Sequence, residues 1–314
     1  MSAESTGAAG TGAALIEFLG AVDNTFAGTL KVAAQGDHPG QGYRFSKTSG
    51  VVVSNRMELL NGAVVTLLNS PLIGDNATVV IKEGSRLRLN GFNETIGNLV
   101  LTNSASDTSA SLVDTEGGTL TVLGSLTSGN ANAAVVPTVK GRLALPTAGE
   151  HFDIGGSVYA GLDVQGQITG AGGFAKFGDA ALLLRTNNTF AGSVSVNEGI
   201  VEARHALAFG GTTRGVTVTD GSITLNNVLV SGETLFVRGT RDVTANTAGS
   251  LLTGLGASSG WLGRIELDTN LVVNSQDLCV LGGPIVGSGG LEFLGSRNQI
   301  VGSGSTQSTY TGLT

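Results

Sequence analysis

The segment 172–211, GGFAKFGDAALLLRTNNTFAGSVSVNEGIVEARHALAFGG, reads as one complete structural unit, and the rest of the 314-residue chain reads as worn or partial copies of it. Ser193, Val194, Ser195 and Val196 alternate polar and apolar residues, the period of a strand with one apolar and one solvated face. Asn197, Glu198 and Gly199 follow as a turn, where glycine reaches a positive backbone angle and asparagine can bond its own backbone. Ile200, Val201 and Ala203 start the next strand. Upstream, Asn188, Thr189, Phe190, Ala191 and Gly192 form a second turn that brings an aromatic side chain toward a core. Strand, turn and strand recur with almost no room for a helix.

Copies of this pattern lie on both sides. Asn24 to Gly28 repeats Asn188 to Gly192, and Glu17 to Gly20 returns as Glu292 to Gly295. The corner of acidic residue, glycine and strand recurs at Glu83 and Gly84 before Arg86, Leu87, Arg88 and Leu89, and at Asp220 and Gly221 before Ile223 and Leu225. In the first of these strands the arginines point out and the leucines in. On a longer scale Thr119 returns as Thr234, Ile168 as Ile285 and Phe190 as Tyr310, shifts of 115, 117 and 120 residues. Distant returns of this kind mark a repeat array. We read residues 1–314 as a single array with repeat modules at about 118–232 and 233–314, the second incomplete, and coils of about twenty residues. Residues 1–14 read as a flexible N-terminal segment and 37–47 as a loop excursion. The last repeat is cut at Thr314, which predicts a longer parent protein.

Composition points the same way. Fifty glycines, 13% charged residues and 5% aromatic residues describe many short strands joined by tight turns, with a core of small branched side chains. The net charge of −7 leaves no basic patch to release phosphate counterions, which disfavours nucleic acid and anionic membrane as partners. No apolar run is long enough for a membrane-spanning helix, and the opening MSAESTGAAGTGAA lacks the basic start of a secretory signal. Cys279 stands alone in the apolar run Leu278 to Leu281, so it reads as a buried small side chain.

With Gly172 and Gly173, the strand at Leu182 to Leu184, the turn Asn188, Thr189, Phe190, Ala191 and Gly192, and the strand pair from Ser193 to Glu202 in view, the chain resembles the passenger-associated transport repeats of bacterial autotransporters. The likeness is strongest over about forty residues and weaker at 15–36 and 289–314. The resemblance implies an all-β fold, a right-handed parallel β-helix, with Gly172, Gly173, Asn188, Thr189, Phe190, Gly192 and Gly199 as repeat-motif structural residues. It implies export to the bacterial cell surface or beyond, with a C-terminal outer-membrane barrel in the parent. It also implies a non-enzymatic stalk or adhesin whose partners are surface glycans or proteins of host or neighbouring cells. Parallel β-helices also host polysaccharide lyases and hydrolases, and that enzyme reading is the alternative.

Residues that could carry chemistry are few. Gly170, Gly172 and Ala175 have the spacing of a dinucleotide site but precede no amphipathic helix. His38, His151 and His205 lie far apart, and neither a metal nor a cofactor site is predicted. Glu150, His151 and Asp153 form the densest acid and imidazole group, yet alternation along one strand puts His151 and Asp153 on one face and Glu150 on the other. Stacked coils could bring Asp220 to Glu233 and Arg238, or Asp75 to Glu83 and Arg86. Thr217 with Thr219, and Thr119 with Thr121, are too isolated for the threonine ladders of ice binding.

Overall fold

Period-two alternation decides which side chains enter the core. In Asn98–Asn103 half-buried and buried positions alternate without a break, and in Arg86–Arg88 only the central leucine is buried. The computed structural model describes residues 3–5, 15–34, 42–146, 149–239, 251–295, 297–300 and 308–312. Among these residues every element is a strand, and no helix is long and apolar enough to cross a membrane. The strands fall in two units, Met1–Pro146 with Gly155–Gln167, and Thr147–Ile154 with Ile168–Thr314. The module boundary expected at 232/233 lies inside the second.

In the first unit one sheet runs Ile16–Phe18, Gly42–Phe45, Val64–Leu67, Arg86–Arg88, Leu112–Val122, Thr138–Ala144, Ala160–Val164. A second runs Thr29–Ala33, Arg56–Leu60, Thr78–Lys82, Asn98–Asn103, Ser125–Asn130. All neighbours in both are parallel. Successive strands of the chain enter the two sheets in turn, except that Glu94–Ile96 follows Arg86–Arg88 into the first sheet and pairs with the same strand, Leu112–Val122, and the result is a parallel β-helix. Inward side chains stack in columns: Tyr43, Val65, Leu87, Val113 and Val139 on one sheet, Met57, Val79, Leu99 and Leu126 on the other, all buried. Each such side chain contributes about 1.5–3 kcal/mol by leaving water.

The second unit has the same plan with a third face. One sheet holds Ala181–Leu184, Ile200–Ala203, Ser222–Asn226, Leu251–Leu255, Leu271–Ser275 and Leu291–Gly295. Another starts with residues 150–154 and continues through Phe174–Phe177, Val194–Val196, Val216–Val218, Leu235–Val237, Ile265–Leu267 and Ile285–Gly287. Leu229–Val230, Ser259–Trp261, Cys279–Leu281 and Asn298–Ile300 form the third. Trp261, fully buried, leans on Phe209 at 5.6 Å. Cys279 is buried as expected, its thiol pushed up to about 12 by desolvation and so kept protonated.

Three expectations need correction. Coils are less regular than twenty residues: partners on adjacent coils lie 20 apart for Gly178 and Glu198 and 34 apart for Ser259 and Leu225. Gly42–Phe45, in the stretch expected as loop, is a strand of the first sheet, while 35–41, with His38, lie outside the described residues. Of the N-terminal segment, Ala3–Ser5 is an antiparallel strand on Ile16–Phe18, and the rest lies outside the described residues.

The repeat motif holds coils together through backbone approach and one amide. A Cβ on Gly192 would run into the Gly173 amide, and one on Gly173 into the Ser193 carbonyl, so two coils touch here backbone to backbone. Gly192 N–H donates to the Gly172 carbonyl at 3.1 Å and Thr189 N–H to Ile168 at 2.9 Å. Phe190 is fully buried and stands edge-on to Phe174 at 5.7 Å. The acidic residue and glycine corner is not one conformation. Glu83 and Gly84 both have positive φ, 55° and 69°, whereas Gly221 is held small by Val196, which a Cβ there would meet at 2.5 Å.

Candidate functional site

The outward residues of strand Arg86–Arg88 meet different neighbours. Arg88 stands in register between Thr66 and Asp114, and its Nε donates to Glu116 Oε1 at 2.7 Å. Asp114 in turn is bonded by Lys140, the next residue of the same column, at 3.1 Å. Arg86, two positions earlier, stands between Val64 and Leu112. Neither neighbour carries charge, and among the described residues the Arg86 guanidinium has no hydrogen-bond or ion-pair partner.

Arg86 lines an open groove of about 440 Å³ with Asn61, Gly62, Val64, Glu83, Gly84, Ser106, Asp107, Thr108 and Ser109. The groove exists because corner lengths differ. Residues 61–62 and 83–84 turn the chain in two residues, while residues 104–111 make a longer excursion on the next coil that forms a wall. That wall is held in place. Asn103 Oδ1 accepts the Ser111 amide at 2.9 Å, and Asn132 Nδ2, from the following coil, donates to the Asp107 carbonyl at 2.7 Å. Both carboxylates of the groove are engaged: Glu83 accepts the Asn61 amide at 2.9 Å, and Asp107 accepts the Ser104 amide at 2.8 Å and its hydroxyl at 2.7 Å.

Glu83 and Arg86 line the same groove without pairing among the described residues, and Asp75 acts elsewhere, on Glu94. Glu94 is buried and accepts the amides of Leu72 at 3.0 Å and Ile73 at 3.4 Å. Desolvation pushes its carboxyl up to about 7 against those hydrogen bonds, with Asp75 adding a smaller rise. Arg238 pairs with Asp268 at 3.3 Å and lies 5.0 Å over the Phe236 ring, rather than joining Asp220 and Glu233. Glu233 is buried, with neither carboxyl oxygen hydrogen-bonded among the described residues, and desolvation pushes it up to about 7. Its backbone carbonyl accepts the Trp261 indole at 3.1 Å.

Glu150 is buried while His151 and Asp153 face out, and His151 stacks on Phe177 at 4.5 Å. His205 Nδ1 accepts the Leu207 amide. The glycines at 170 and 172 lead into strand Phe174–Phe177, so they open no helix for a dinucleotide. Thr217 lies between Ser195 and Phe236, which breaks any threonine ladder. Among the described residues no three His, Cys, Asp or Glu side chains converge as metal ligands.

One group was not anticipated. Lys176 is fully buried, and its Nζ donates to the carbonyls of Phe177 at 2.9 Å, Gly178 at 2.6 Å, Glu198 at 3.2 Å and Ile154 at 3.5 Å. Burial lowers its pKa to about 8, opposed by Asp179, Glu198 and Asp153. The signal was the alternation itself, which puts Phe174 and Lys176 on one face. Lys47 does similar work in the first unit, donating to the Val22 and Val51 carbonyls and to Asn24 Oδ1.

The geometry thus defines a parallel β-helix with a polar surface groove. No family model, curated protein or solved structure matches the chain.

Proposed function

We propose that this chain is a stretch of an exported bacterial surface passenger that acts as a non-enzymatic stalk or adhesive surface. The observation that carries the reading is the use of its buried polar groups. Lys176, Lys47 and Asn188 each tether successive coils through backbone carbonyls, an arrangement that serves a rigid scaffold. Several groups that a polysaccharide-cleaving β-helix would use are engaged otherwise: Arg238 with Asp268, His151 with Phe177, and the groove carboxylates with amides and a hydroxyl. Surface glycans, or proteins of host or neighbouring cells, are the partners this reading assigns. The autotransporter resemblance of 172–202 supports export and a barrel in the parent protein.

The test uses beads coated with the purified chain, presented to cells of varied surface chemistry, beside a turnover screen on polysaccharides. Adhesion without turnover is the expected result. Depolymerisation of any polysaccharide by the chain would replace the stalk with the enzyme.

A further inference from the structure

We infer that the groove beside Arg86 binds a short acidic saccharide, the sugar carboxylate of a uronic acid pairing with the Arg86 guanidinium. The inference rests on the adhesive reading and names its ligand class. Three features of the groove select this chemistry. First, Arg86 is a charged donor fork with no protein partner among the described residues, flanked in register by the aliphatic Val64 and Leu112. An exposed guanidinium without a counterion matches a planar carboxylate in two parallel hydrogen bonds.

Second, the wall and rim carry hydroxyls and amides from Asn61, Ser106, Thr108 and Ser109, and its volume of about 440 Å³ lies within the range of small-ligand sites. Sugar hydroxyls both donate and accept, so they pair with such groups in either direction. Third, Glu83 and Asp107 line the same groove. Their hydrogen bonds hold them in place, and each oxygen keeps a lone pair for a donor. Two carboxylates repel a compact dianion such as phosphate but accept hydrogen bonds from sugar hydroxyls. A ligand with one negative group and many hydroxyls satisfies the arginine and the carboxylates together.

Isothermal titration of the purified chain with a uronic-acid trisaccharide, its neutral carboxyl-reduced counterpart and inorganic phosphate tests this. The acidic trisaccharide is expected to saturate the chain below about 10 mM, with the neutral sugar at least about tenfold weaker. Arg86→Ala should weaken the acidic sugar at least about tenfold, and Arg88→Ala, which removes an exposed pair outside the groove, should leave it unchanged. Equal affinity for acidic and neutral sugars, an unchanged Arg86→Ala, equal binding of phosphate, or no saturation would each overturn the assignment. Bead adhesion separates this from the broader reading. Adhesion that persists in Arg86→Ala removes the groove and keeps the adhesin, while sugar binding without adhesion keeps the groove and removes the adhesin.

Discussion

The side-chain amide of Asn188 donates to the carbonyl of Ala208 at 2.6 Å while its Oδ1 accepts the amide of Ile168 at 2.8 Å, so one buried residue ties three successive coils. Asn24, first residue of the earlier copy of the motif, repeats half of this. Its amide donates to Val51 and its Nδ2 to Val52, as those of Asn188 do to Leu207 and Ala208, but its Oδ1 accepts the Lys47 ammonium. Asn188→Ala strips two buried backbone groups of their partners. We expect a loss of about 2–4 kcal/mol, read as a lower midpoint in urea with an unchanged slope. A loss below about 0.5 kcal/mol would mean that water replaces the amide.

Lys176 is a second tether, and its removal should cost more. Lys176→Met keeps much of the side-chain volume and withdraws the donor from the carbonyls of Phe177, Gly178, Glu198 and Ile154. Withdrawing the ammonium leaves several carbonyls without a donor, at about 1–3 kcal/mol for each that water does not reach. Hydrogen exchange should show the loosening at the amides of Asn197 and Glu198, both of which donate to the Lys176 carbonyl. Protection unchanged at both amides would sink the tether.

Much of this was legible in the sequence, and the exceptions share a cause. Alternation placed Val194 and Val196 inside and Arg86 and Arg88 outside, and the structure agrees. What alternation cannot tell is who stands opposite. Val64 and Leu112 flank Arg86, while Thr66 and Asp114 flank Arg88. Those neighbours are set by the lengths of the intervening corners, which vary from coil to coil. The groove was hidden for that reason, since it depends on one long corner following two short ones. Lys176 was hidden for another: lysine is almost never buried, and the clustered carbonyls, with Asp179, Glu198 and Asp153 nearby, make its burial sustainable.

Burial of two carboxyls makes the fold sensitive to pH. Glu94 and Glu233 are both raised from an ordinary 4.5 to about 7, so the folded chain holds these protons more tightly than the unfolded one. Their contribution is complete below about 4.5 and is lost as pH rises through 7, by up to about 3 kcal/mol for each group. Denaturation midpoints between pH 5 and 8 should therefore fall with rising pH. Glu233→Gln removes one of the two charges and should raise stability at pH 8 by about 1–2 kcal/mol while flattening the profile. Its slope equal to that of the parent chain would show that Glu233 ionises freely in the folded state.

The glycines that end the two copies of the motif provide an internal comparison. A Cβ on Gly192 meets the backbone of Gly173 and Gly172, which cannot rotate away, whereas a Cβ on Gly28 meets nothing within 4 Å. Neither residue has a positive φ in this structure, so the contrast isolates close approach from backbone strain. Gly192→Ala should cost about 2–4 kcal/mol through overpacking between coils, and Gly28→Ala should change stability by less than about 0.5 kcal/mol. Equal effects in thermal unfolding would mean that the coils part at Gly192 without cost, and that the backbone contact there does not require a glycine.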